Sequence, residues 1–147
     1  MVSKQGLFGD SEFKNLLADK SVKTKPLSPK LGTEIEGIQL SQLTDKQKDD
    51  LALLVEERGV VVFRGQDFKD LPFYDISSWG EYFGPLHIHP TTGTPVGQPH
   101  FHIIIRRAKS DEQQTYLANG LNTVGWHSDV TYEPQSPEIV STIPKID

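Results

Sequence analysis

Trp126-His127-Ser128-Asp129, continued by Val130-Thr131-Tyr132, is the stretch on which the reading of this fold turns. Successive side chains of a strand alternate faces, so extended backbone here projects His127 and Asp129 side by side, able to grip one cation together. One imidazole and one carboxylate on a single strand make two-thirds of the 2-His-1-carboxylate triad that holds non-haem Fe(II) with open coordination positions. The third ligand has to come from elsewhere. Five histidines and eleven aspartates among 147 residues produce about 0.4 such His-x-Asp spacings by chance. By itself, therefore, the pair reads equally as a metal grip or as a hydrogen-bonded histidine at the end of a strand.

Composition narrows the chemistry around it. The chain has no cysteine, which removes disulfides, thiolate metal sites and cysteine nucleophiles and leaves His, Asp and Glu as the strong metal donors. A hydrophobic share of 35% and a charged share of 24% fit an ordinary globular domain. The net charge of -5 argues against general nucleic-acid binding. No apolar run approaches the ~18 residues of a membrane span, and Met1 to Asp10 lacks the basic-then-apolar order of a secretory signal. The expectation is a cytoplasmic protein with neither a membrane nor a nucleic-acid partner.

Residues 1–30 read as a peripheral segment: Phe13, Leu16 and Leu17 make one amphipathic turn, and the lysines from Lys20 to Lys30, interleaved with Pro26 and Pro29, suggest a solvated, extended linker. From Leu31 the pattern tightens, with Ile35, Ile38 and Leu40 spaced for a short strand and turn around Gly37. Thr44-Asp45-Lys46-Gln47 is a helix start in which Thr44 and Gln47 cap one another, with Leu51, Leu54, Val55 and Arg58 on one stripe and Gly59 as a left-handed C-cap. Val60-Val61-Val62-Phe63 then reads as a strand buried on both faces, and Arg64-Gly65-Gln66-Asp67 as its turn. A second helix begins near Pro72 and carries Phe73, Ile76, Trp79 and Phe83 toward a core before Gly84-Pro85 stops it. Leu86 to Pro99 is a Gly/Pro/Thr-rich loop holding His87 and His89. Phe101 to Ile105 and Val124 to Tyr132 read as strands.

The order of three motifs goes further than any one of them. Gly59-Val60-Val61-Val62-Phe63-Arg64, then Trp79-Gly80-Glu81-Tyr82-Phe83-Gly84-Pro85-Leu86-His87-Ile88-His89-Pro90, then Gly125-Trp126-His127-Ser128-Asp129-Val130-Thr131-Tyr132 resembles the taurine dioxygenase (TauD/TfdA) family of Fe(II)- and 2-oxoglutarate-dependent oxygenases, nearest its fungal sulfonate-dioxygenase branch. The likeness spans Gly32 to Pro137, so residues 31–147 are expected to form the N-terminal part of such a domain. It implies an α+β, mainly β architecture: a double-stranded β-helix, or jelly roll of the clavaminate synthase type, with flanking helices and here incomplete. It also implies that His127 and Asp129 are iron ligands, that His89 meets the sulfonate of the substrate, and that Asn122 and Thr123 lie near the polar substrate contact. The implied reaction uses O2 to convert 2-oxoglutarate to succinate and CO2 while hydroxylating the carbon next to sulfur of a sulfonate such as taurine, with release of sulfite and an aldehyde.

The sequence also departs from the family. After the His-x-Asp strand the family continues with a Gly-Gly-Asp-Thr stretch whose threonine contacts 2-oxoglutarate, and later supplies a distal histidine and an arginine for the far carboxylate. None of these follows Pro137. Either the chain is a truncated product of a longer oxygenase gene or a partner chain supplies the rest, and by itself it is expected to be inactive. The competing reading is a non-catalytic fragment with a binding or regulatory role, whose unpaired sheet edges would favour a homo-oligomer. A weaker alternative is a zinc site of His87, His89, His100 and His102. Of the remaining groups, His87 reads as a hydrogen bonder that positions its loop, and Glu81, Glu133, Arg106 and Arg107 as solvated surface groups.

Overall fold

Thr44 fixes where the longest helix begins. Its backbone is extended, its hydroxyl accepts from the Gln47 N–H at 3.4 Å, and the Gln47 side chain accepts from the Thr44 N–H at 2.9 Å. These reciprocal bonds satisfy two donors that a helix start leaves without partners. Helix α1 then runs Asp45–Arg58 and ends at Gly59, which takes the left-handed φ of 67° and donates its N–H to the Val55 carbonyl at 2.7 Å. This computed structural model describes residues 13–90, 93–102, 130 and 132–143. The chain divides into two units, residues 1–86 with 143–147 and residues 87–142; α1 belongs to the first.

Around α1 lies a three-stranded sheet of order β1-β2-β3, with β1 at Lys23–Pro26, β2 at Thr33–Glu36 and β3 at Val61–Phe63. Strands β1 and β2 are antiparallel, while β2 and β3 are parallel with Thr33 opposite Val61 and Ile35 opposite Phe63. Parallel neighbours need a crossover, and α1 provides it. Ile35 on the central strand is fully buried and joins Leu16, Ile38, Leu43, Leu51 and Leu54 in the core, with Val61, Phe63, Trp79 and Phe83 packed against it. Each such side chain withdrawn from water contributes about 1.5–3 kcal/mol. The second helix, α2, spans Phe73–Glu81, and its Trp79 packs edge-on against Phe68 with ring centroids 5.0 Å apart.

Three expectations change here. The segment before residue 31 is not loosely attached from Phe13 onward: Leu16 is 1% exposed, and β1 is a paired strand where a solvated linker was expected. The lysines of β1 stay exposed and so remain in water, and on an edge strand such charges also guard the unpaired backbone edge. The tie is made by Asp50, itself fully buried, whose Oδ2 accepts from the backbone N–H of Asn15 at 2.9 Å and of Leu16 at 3.0 Å. Second, β3 is not buried on both faces: its residues are half-buried and Val60 is 47% exposed. Third, Val130 and Tyr132 lie in a turn, not in a strand, and Phe101 and His102 are irregular; residues 103–129 lie outside the described residues. Among the described residues the β-structure is this one small sheet, and no helix is long and apolar enough to cross a membrane.

Long-range polar ties hold the sheet ends. Arg58 donates to the carbonyls of Ser28 and Gly32, both at 2.9 Å, and to the Thr33 hydroxyl at 3.0 Å, locking the β1–β2 turn onto the last turn of α1. Gln66, just past β3, donates to the Ile38 carbonyl at 2.6 Å and accepts from the Leu40 N–H at 2.9 Å, just past β2.

A histidine cluster as candidate functional site

The second unit begins at the loop that carries His87 and His89. A tight turn at Pro95–Gln98, closed by the Gln98 N–H to the Pro95 carbonyl at 2.9 Å and using Gly97 at φ 75°, reverses the chain. Glycine suits that position because a side chain there would be strained. The reversal brings His100 and His102 back to the first pair. The His89 and His102 rings lie 4.9 Å apart between centroids, the His87 and His89 rings 6.3 Å, and His100 Nδ1 sits 3.3 Å from the His87 carbonyl.

His87 is spent on an anion. Its Nε2 lies 2.8 Å from Glu133 Oε2, with both side chains largely but not fully covered. A carboxylate only accepts, so the proton of this bond sits on Nε2 and His87 is either the Nε2–H tautomer or the imidazolium. Glu133 is therefore not the free surface acid expected from the sequence, whereas His87 is a hydrogen bonder as expected. No pattern in the sequence marks residue 133, since 46 positions separate it from its partner. Glu133 also closes a turn by donating its N–H to the Val130 carbonyl at 2.9 Å. Val130 stands at φ 46°, a conformation that costs a β-branched residue about 1–3 kcal/mol.

Of the site residues expected from the sequence, His89 is described and is half-buried in this cluster. His127, Asp129, Asn122 and Thr123 lie outside the described residues. Among the described residues no group of three His, Asp or Glu side chains is placed to hold a metal, so the four-histidine zinc alternative has no support. The reason is visible: His87 Nε2 is engaged by Glu133, and His100 turns Nδ1 to a carbonyl. For iron, the test falls on donor chemistry. An imidazole and a carboxylate in a chain without thiols fit a hard, oxygen- and nitrogen-liganded Fe(II). The arginine clamp for 2-oxoglutarate that the family resemblance implies is not matched by any arginine among the 147 residues.

Comparison with known proteins places these features in one lineage. The profile of the family described as taurine catabolism dioxygenase TauD, TfdA matches residues 23–141. An alpha-ketoglutarate-dependent sulfonate dioxygenase of Saccharomyces cerevisiae is 46% identical over 134 residues, covering 89% of this chain and 32% of the yeast protein. The alpha-ketoglutarate-dependent dioxygenases cnsP and cnsM of Penicillium expansum are 41% and 38% identical, each over 87% of this chain and 34% and 35% of their own lengths. The chain thus spans about a third of the length of these relatives. The match takes in the β2–α1–β3 unit, the His87–His89 loop and the His127-x-Asp129 motif together, and on that basis the chain belongs to the TauD/TfdA family of 2-oxoglutarate-dependent dioxygenases.

Proposed function

We propose that this chain carries the substrate-side and proximal-metal part of an Fe(II)- and 2-oxoglutarate-dependent dioxygenase acting in the cytoplasm on a sulfonate such as taurine. The carrying observation is His89: a half-buried imidazole in the cluster, within a chain 46% identical to a sulfonate dioxygenase. An imidazole N–H facing a sulfonate oxygen makes a charge-assisted bond, roughly twice as strong as a neutral one. In this reading the Asn122 amide and the Thr123 hydroxyl add donors to the same substrate, and His127 and Asp129 hold the iron. Iron bound by these residues, together with 2-oxoglutarate and O2 as the oxidant, would supply the chemistry that hydroxylates the carbon next to sulfur, one oxygen atom going to succinate and the other to the substrate, whose hydroxylated form would release sulfite and an aldehyde. The chain's own share is to hold donors at fixed positions and to exclude water from the reacting carbon. A jelly-roll core completed by further strands is part of the same proposal.

Within these 147 residues there is no counterpart of the distal histidine or of the cosubstrate arginine, so the polypeptide by itself binds Fe(II) weakly and does not turn over. Two measurements test the proposal. Anaerobic Fe(II) should broaden the His127 imidazole resonances before those of His100, and Asp129→Ala should abolish that preference. With Fe(II), 2-oxoglutarate, ascorbate and taurine, sulfite should stay at background. Equal broadening of all histidines would refute the metal assignment, and sulfite release would refute the inactivity of the isolated chain. A non-catalytic binding role is favoured over catalysis only if taurine binds and iron does not.

A further inference from the structure

We propose that His87 and Glu133 form a positioning pair that fastens the loop bearing His89 to the turn that follows Asp129, and so sets where the His89 imidazole points. The inference rests on the reading of His89 as a sulfonate contact. Glu133 is a firm anchor because its N–H is bound to the Val130 carbonyl at 2.9 Å while its carboxylate lies 2.8 Å from His87 Nε2. The bond joins residues 46 apart and begins four positions after Asp129. It therefore ties the loop of His89 to the turn at Val130 and Glu133, which comes directly after Asp129 in the sequence.

Geometry at the other end supports this. His87 and His89 are separated only by Ile88, which is 54% exposed and packs little. With its ring tied to Glu133 and its carbonyl 3.3 Å from His100 Nδ1, His87 is held on both sides, and its ring meets that of His89 edge-on at 6.3 Å. The His102 ring, its centroid 4.9 Å away, is a second neighbour of His89. An imidazole oriented by a carboxylate partner is a recurrent way to fix a neighbouring polar contact, and small misplacements of such contacts are costly.

The test uses the full 147-residue chain labelled with 15N, observing imidazole nitrogens at neutral pH. In the native chain His87 should show a protonated Nε2 and His89 one fixed set of shifts. Glu133→Ala should average the His87 signal and move His89, whereas Glu133→Gln, which keeps an acceptor, should retain most of the native pattern. His87→Gln, which keeps a donor, should likewise preserve His89 where His87→Ala does not. Amide shifts of residues 33–63 should be unchanged throughout. If His89 is indifferent to Glu133→Ala and His87→Ala, or if the changes spread through residues 33–63, the positioning role is overturned. Taurine added to the native chain should shift His89, with Glu133→Ala needing about tenfold more. If taurine moves nothing in the native chain while Glu133→Ala still releases His89, the sulfonate reading fails and the pair stands.

Discussion

Replacing Asp50 by alanine should unfasten the N-terminal turn of the first unit from α1. The residues from Phe13 to Leu17 form one turn, closed by the Leu17 N–H to the Phe13 carbonyl at 2.9 Å. Its leading N–H groups have no partner within the turn, the usual condition of a helix start. Asp50 supplies one from α1: Oδ2 takes both the Asn15 and Leu16 N–H groups, and Oδ1 lies 3.4 Å from the Asn15 side-chain nitrogen. Alanine leaves the buried Leu16 N–H without this acceptor, a loss of about 1–3 kcal/mol, and removes a second charge-assisted bond that is partly solvated. The combined cost is about 3 kcal/mol, a large part of the ~5–15 kcal/mol that holds a domain together. With a urea slope of ~1.5 kcal/mol/M the midpoint falls by about 2 M. Helix circular dichroism would follow it, and hydrogen exchange at Leu16 would show lost protection. Asp50→Asn keeps one carbonyl acceptor and should lose about half as much. A midpoint for Asp50→Ala within ~0.3 M of the native value, about 0.5 kcal/mol, would refute the reasoning.

Two further perturbations probe the same unit. Burial first, and then the Asp49 carboxylate 2.7 Å from its hydroxyl, push the Tyr82 phenol up to about 12 from 10.0. The neutral phenol is thus favoured in the fold, and its stabilisation is full below pH 10 and lost as pH rises through about 12. Spectrophotometric titration should show a late phenol ionisation that is absent in Tyr82→Phe, which should also cost about 1 kcal/mol. Gly59→Ala should cost about 1–2 kcal/mol in thermal unfolding, because the cap holds φ 67° and an added Cβ would stand 2.7 Å from Leu31 Cδ1.

What could be read in advance was local. Thr44, Gln47, Leu51, Leu54 and Gly59 announce α1 because capping and periodicity are decided within one or two turns of chain. The burial of Leu16 and the pairing of Lys23–Pro26 were not legible, because each depends on a partner far along the chain, Asp50 for one and β2 for the other. The half-exposure of Val61–Phe63 is not legible for a related reason: a run of apolar residues reports what a strand can bury, not what the fold brings to cover it.

The candidate site divides in the same way. Sequence alone determined the metal-ligand pair His127 and Asp129 as a hypothesis, the family, and the importance of the His87–His89 loop, since these lie in short motifs with chemistry of their own. Only the tertiary structure decided that His87 is bound to Glu133, that the His102 ring lies tilted beside that of His89, and that a strained turn at Val130 follows the motif. Those outcomes depend on chain reversals that bring distant residues within 3–5 Å of one another, and hydrogen bonds fall off too steeply with distance for spacing along the chain to specify them.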